Sequence, residues 1–198
     1  MPFLQATDKR DWRDVEYVAL DFETTSGDPR QAAPLSIGWV VVSRGRVRLS
    51  DAAYHLIDHD GHVPVASLQI HRLLPDELEG GLTADDLAAR LRVALDGRVA
   101  VAHGSWIERA LLKRMDVPRH GLIDTLALVR RLAERDGRRF ESSSLSAVAR
   151  RYGIPPLRAH HAFGDALTTA LLLLALAGRL EQQRSRCIVD DLMKLGRP

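Results

Sequence analysis

Apolar and polar positions alternate in short runs through the first third of the chain. Val15 to Phe22 reads as a strand, and Ser36 to Val42 as a second. Arg46 to Leu49 starts a third, with Ser43-Arg44-Gly45 as the hairpin turn, and Ala53 to Ile57 continues it after an interruption. A polar loop from Asp58 to Pro64 follows. The period then lengthens. Thr83-Ala84-Asp85-Asp86 opens a helix whose apolar stripe is Leu87, Leu91 and Leu95 and which ends at Gly97. Val99 to Ala102 is a short buried strand, Trp106 to Met115 a helix, and Leu122-Ile123-Asp124 a strand leading into a helix over Thr125 to Glu134. Ser144 caps a helix that stops at Gly153, Pro155-Pro156 breaks the chain, and a last long helix runs from Phe163 to Leu180. An antiparallel meander followed by alternating helix and strand predicts an α/β domain with a mixed sheet. It occupies residues 15–180, between an N-terminal extension (1–14) and a polar tail (181–198) that is mobile or helical against a partner.

Composition narrows the class. With 45% hydrophobic and 27% charged residues, the chain reads as an ordinary soluble domain, long enough at 198 residues for a sizeable core. Cys187 is the only cysteine, which excludes an intrachain disulfide and a cysteine-based zinc site and suits a reducing cytoplasm. The first ten residues show no basic segment followed by an apolar run, so no leader is expected. The most apolar stretch, Ala166 to Gly178, is shorter than the ~20 residues a bilayer requires and reads as a buried helix. No membrane partner is expected. Net charge is only +2, yet residues 1–100 carry 11 Lys+Arg against 16 Asp+Glu and residues 101–198 carry 17 against 10. The basic half suits a phosphate backbone, although 25 Arg against 3 Lys also suits a genome-wide bias.

Chemistry enters through carboxylates. Asp21 and Glu23 stand at i and i+2 of one strand, so their side chains leave the same face while Phe22 points away. Such a pair invites a hard cation, Mg²⁺ or Mn²⁺; a solvated acidic strand end is the plainer alternative. Glu108, in the first turn after the His103-Gly104-Ser105 turn, is a possible third ligand or a surface glutamate favoured by the helix dipole. His103 either orients a substrate or, the favoured reading, satisfies a buried hydrogen bond. Asp165 begins a helix that is apolar nearly all round, as a ligand or as a cap. His160, on the loop entering that helix, is placed to take a proton near neutral pH, and His161 competes for the role. Asp124 reads as a helix cap or a supporting residue.

Taken together, these elements resemble the DEDDh exonucleases, specifically those similar to the epsilon proofreading subunit of bacterial DNA polymerase III. The resemblance runs from Val15 to Leu180. Asp21-Phe22-Glu23-Thr24-Thr25 meets the first motif in full, and His160, Ala162, Asp165 and Ala166 meet the third, His-x-Ala-x-x-Asp-Ala, in a register that selects His160 over His161. Gln69-Ile70-His71-Arg72 resembles the family's Ile-His-Gly segment, and Ile123-Asp124-Thr125-Leu126 its Asp-Thr-Leu segment. The second motif, usually His-Asn-x-x-Phe-Asp, departs: it reads His103-Gly104-Ser105-Trp106-Ile107-Glu108. The resemblance implies an RNase H-like fold, a five-stranded mixed sheet with helices on both sides. It also implies two divalent ions (Mg²⁺ or Mn²⁺) on Asp21, Glu23, Glu108 and Asp165, with His160 as base. The expected activity is 3′→5′ removal of nucleoside 5′-monophosphates, from single-stranded DNA in preference to RNA, with a polymerase or repair protein as a possible partner. Thr24, Thr25, His103 and Trp106 are the candidate substrate contacts, Trp106 by stacking on a base, although a core aromatic is the favoured reading of it. The alternatives are a ribonuclease acting on RNA ends and a nucleic-acid-binding module weakened by Glu108.

Overall fold

Five strands form one mixed sheet. In the computed structural model, which describes residues 8–155 and 157–198, these are β1 (Tyr17–Thr24), β2 (Pro34–Ser43), β3 (Arg46–Leu56), β4 (Val99–Ala102) and β5 (Leu122–Asp124). Residues 1–7 of the expected N-terminal extension and Pro156 of the expected break lie outside the described residues. The strand order is β3-β2-β1-β4-β5; the first three pair antiparallel, and β1-β4 and β4-β5 pair parallel. The β2–β3 hairpin turns on Arg44 and Gly45, both at positive φ (52° and 70°), the combination whose twist matches a two-residue hairpin. β3 is one strand to Leu56, and the expected interruption survives as a register shift opposite Trp39 to Val41.

The helices are α1 (Val65–His71), α2 (Pro75–Leu78), α3 (Ala84–Leu95), α4 (Trp106–Arg114), α5 (Thr125–Arg135), α6 (Leu145–Arg151), α7 (Ala162–Arg184) and α8 (Val189–Leu195). The short α1 and α2 have no periodic signature in the sequence. Strand alternation divides the core. Tyr17 and Ala19 face α5 to α8, whereas Val18, Leu20 and Phe22 face α3 and α4. By length and composition α7 could cross a membrane, but it lies across the sheet, with Leu172, Leu173 and Leu176 fully buried.

The segment after Glu181 is neither extended nor free. α7 continues to Arg184, and α8 folds back with Val189 and Leu192 fully buried among α5 side chains. Arg131 of α5 donates to the carbonyls of Leu195 and Arg197 at 2.7 and 2.8 Å, and the Asp124 amide donates to the Gly196 carbonyl at 2.7 Å. Residues 8–12 pair with the same segment: Trp12 N–H donates to the Cys187 carbonyl and Val189 N–H to that of Arg10. The apolar i, i+3, i+6 spacing of Val189, Leu192 and Leu195 supplies the buried face of α8, and the surface it packs on is the chain's own α5.

Candidate active site

Four elements bring the acidic residues together. Asp21 and Glu23 extend the Tyr17–Ala19 face of β1, the face that α7 covers. Opposite Asp21 in the register stands Gly38. A Cβ there would lie 2.3 Å from the Phe163 amide nitrogen and 2.5 Å from the Ala162 carbonyl carbon. The missing side chain therefore lets the first turn of α7 settle directly on β2. That approach carries Asp165 to the β1 carboxylates: Asp21, Glu23 and Asp165 each offer an oxygen within 4.8 Å of the others.

Glu108 is buried at the N-terminal turn of α4, outside that trio but near enough to repel Asp21. Burial, reinforced by Glu108, Glu23 and Asp165, holds the Asp21 carboxyl well above the usual carboxylate range. Glu23 is pushed up to about 7 by burial and then by Asp165. Glu108 is pushed up to about 8, chiefly by burial, with backbone amides of Glu108 and Phe22 pulling back and Asp124 adding repulsion. Asp165 is raised by burial and relieved by the His160 amide, which donates to it at 3.0 Å. Glu23 Oε1 is buried with no hydrogen-bond partner among the described residues. Crowded oxygen donors and an orphaned buried carboxylate oxygen are what a divalent cation would satisfy, so the residues fit the expected metal.

The adjacent histidines separate. His161 is stacked on Tyr54 of β3, ring centroids 4.5 Å apart. His160 is exposed, in the left-handed region (φ 57°), and its backbone is tied to Asp165. Tyr54 had no signal in the sequence, because only the β2–β3 register brings it here.

The second-motif turn is held by Asp124. Its carboxylate accepts from Gly104 N–H (2.9 Å), Ser105 N–H (3.0 Å) and Ser105 Oγ (3.1 Å), and also caps α5 through Leu126 N–H (2.9 Å). Asp124 thus fixes α4, and Glu108 with it. His103 is half-buried, its ring nitrogens 2.8 Å from Thr125 Oγ1 and 3.0 Å from the Ser143 carbonyl oxygen. Both are used inside the protein, and burial lowers its pKa. Trp106 corrects the core-aromatic reading: it is 50% exposed. Gly104, at φ 69°, makes room for it, since a Cβ would stand 2.5 Å from the indole ring. Thr24 Oγ1 donates to the Ser26 carbonyl, and Thr25 is bonded through its amide and hydroxyl to Ala33. These two residues brace the β1–β2 loop beside Glu23.

Residues 18–173 match the RNase_T family, described as Exonuclease, and the chain belongs to this family. The DnaQ-like DEDD character expected from its motifs agrees with that membership. Among curated relatives, a PolC-type DNA polymerase III of Thermotoga maritima is 28% identical over 177 residues, covering 85% of this chain and 12% of the relative. The 3′-5′ exonuclease DinG of Staphylococcus haemolyticus is 28% identical over 175 residues, 85% of this chain and 19% of the relative. The chain therefore spans less than a fifth of the length of either. Among solved structures, Exonuclease X in complex with 5′ overhanging duplex DNA superposes with a TM-score of 0.70 at 20% identity, covering 91% of this chain and 99% of the other. The five-stranded sheet is thus RNase H-like, as expected. The chain is a nuclease, a nucleic-acid-binding hydrolase whose acidic cluster is compatible with divalent metal.

Proposed function

We propose that this nuclease removes nucleoside 5′-monophosphates from the 3′ end of a nucleic-acid strand, with single-stranded DNA the preferred substrate. The observation that carries the proposal is the convergence of Asp21, Glu23 and Asp165 within 4.8 Å, with His160 on the loop entering the helix that carries Asp165 and its amide donating to that carboxylate. Asp21, Glu23, Asp165 and Glu108 would hold two Mg²⁺ or Mn²⁺ ions. When bound, such ions neutralise the carboxylates and stabilise charge on the attacking and leaving oxygens of phosphodiester hydrolysis. The chain's residues do the rest. His160 stands exposed at the lip and takes the proton of the attacking water; His161, held on Tyr54, does not. Thr24 and Thr25 shape the loop that receives the terminal nucleotide, and His103 steadies the turn before α4 through Thr125 and the Ser143 carbonyl. The α4 and α7 N-termini supply positive dipole ends beside Glu108 and Asp165. A polymerase or repair protein as partner is supported by the names of the relatives.

One observation favours a second reading. Glu108 stands outside the trio, as a binding module with weakened catalysis would have it. Titrating Mg²⁺ and Mn²⁺ against a 3′-labelled single strand separates the two. Release of the labelled mononucleotide supports the exonuclease. Retained strand binding with no shortening at any metal concentration supports the binding module.

A further inference from the structure

At the outer edge of β5 lies a cavity of about 450 Å³, walled by α4, the loop entering β5 and the end of the chain. Arg109, Arg119, Lys194 and Arg197 line it, against Asp8 and Asp190. The acids are engaged: Asp190 with Lys194 at 2.5 Å and Asp8 with Arg10 at 2.6 Å. Among the described residues, no ion pair involves Arg109, Arg119 or Arg197. Three guanidinium groups thus face one concavity without carboxylate partners. Trp106 stands at i−3 from Arg109, on the same side of α4, and is 50% exposed. Glu108 belongs to the other side, near Asp21. One helix therefore presents a carboxylate to the active site and Arg109 to the cavity, with the exposed Trp106 ring one turn before Arg109, outside the cavity's lining. The far wall, residues 193–198, lies beyond the family match, which ends at residue 173.

We propose that this cleft is a second nucleic-acid site, holding backbone phosphates of the strand a few nucleotides upstream of the 3′ end, with Trp106 stacking on a base between the two. The inference rests on the nucleic-acid substrate of the proposed function. β5 is two strands from β1, roughly 10 Å across the sheet, and Leu122 is level with Val18, roughly another 10 Å along the strands from Asp21, a span that a few nucleotides bridge. Unpaired guanidinium groups suit phosphate, and a flat exposed ring tolerates any base. An acidic peptide would use the same charges but leave Trp106 without a role.

The test is binding of fluorescent DNA strands, read by anisotropy across a salt series without added metal. The unmodified chain is compared with a triple variant, Arg109→Ala, Arg119→Ala and Arg197→Ala, and with a control, Arg46→Ala plus Arg90→Ala, which removes exposed arginines elsewhere. For a strand of about twenty nucleotides the triple variant should bind at least about tenfold more weakly, and its log–log salt slope should be shallower by roughly 2, about 0.7 per lost phosphate contact. Affinity for a trinucleotide should move less than about twofold in the same variant. Quenching of Trp106, the one exposed tryptophan, should accompany binding of the long strand, since Trp12 and Trp39 are buried. An unchanged slope in the triple variant, or an equal loss in the control, overturns the cleft while leaving the nuclease reading intact. Failure of the unmodified chain to bind any strand overturns both.

Discussion

His160 and His161 are neighbours in sequence with opposite surroundings. His161 lies on the Tyr54 ring, and His160 is exposed with its amide on Asp165. The account expects His160→Ala to lower the hydrolytic rate by roughly 10² or more, the range of general-base losses, and His161→Ala to lower it much less. Steady-state rates of the two variants on one labelled strand decide it, and the reverse ranking would contradict the assignment. The carboxylates make a second prediction at this scale. Glu23 and Glu108 rise from ordinary values of 4.5 to about 7 and about 8. A carboxyl whose folded pKa is raised binds more protons in the folded state. Its stability contribution is therefore present below the unfolded pKa and is lost as pH rises through the folded one. Without metal, the melting temperature should fall between about pH 5 and pH 8, and Mn²⁺ should restore it at pH 8 far more than at pH 5. Melting curves with and without metal test this; equal Mn²⁺ effects at both pH values would mean that the cluster does not take the ion.

Among elements, the approach of α7 to β2 decides whether the site exists. Gly38→Ala places a methyl against the Ala162–Phe163 backbone, which has no flexible atom to yield. Overpacking of this kind costs typically 1–3 kcal/mol, and the displaced helix carries Asp165 with it. Unfolding by denaturant should show that loss, accompanied by a fall in activity larger than reduced folding explains. Much of this level was legible in the chain. The i, i+2 spacing of Asp21 and Glu23 fixed their shared face, and β4, β5 and α3 to α5 follow their capping and periodic signals closely. Gly38 was not legible, because a glycine inside an apolar strand says nothing about which backbone it admits. Glu108 was legible as a charge but not as a buried one, since its depth depends on how Asp124 holds the Gly104–Ser105 turn. Trp106 read as core because an aromatic in an amphipathic helix usually is; the left-handed Gly104 beneath it turns the ring outward. α1 and α2 are too short to show a period.

In the whole molecule, the two ends of the described chain close on each other and on α5. Leu192 is fully buried there, so Leu192→Ala should cost roughly 2–5 kcal/mol, as for a core leucine, and not the near-zero change of a loose tail. Chemical denaturation of that variant measures it. The same packing binds the Asp124 amide to Gly196, which links the end of the chain to the residue that positions α4. The carboxylate trio, His160 and the braced loop meet only because sheet, α4 and α7 converge at one end of β1. The central claim is that this convergence cleaves phosphodiester bonds one at a time from a 3′ end. Its most direct test is a time course on a 5′-labelled single strand with Mn²⁺, resolved to single nucleotides. The account predicts a ladder shortening stepwise from full length, with nucleoside 5′-monophosphate as the released product. A labelled mononucleotide appearing first, or internal fragments with no ladder, would contradict it.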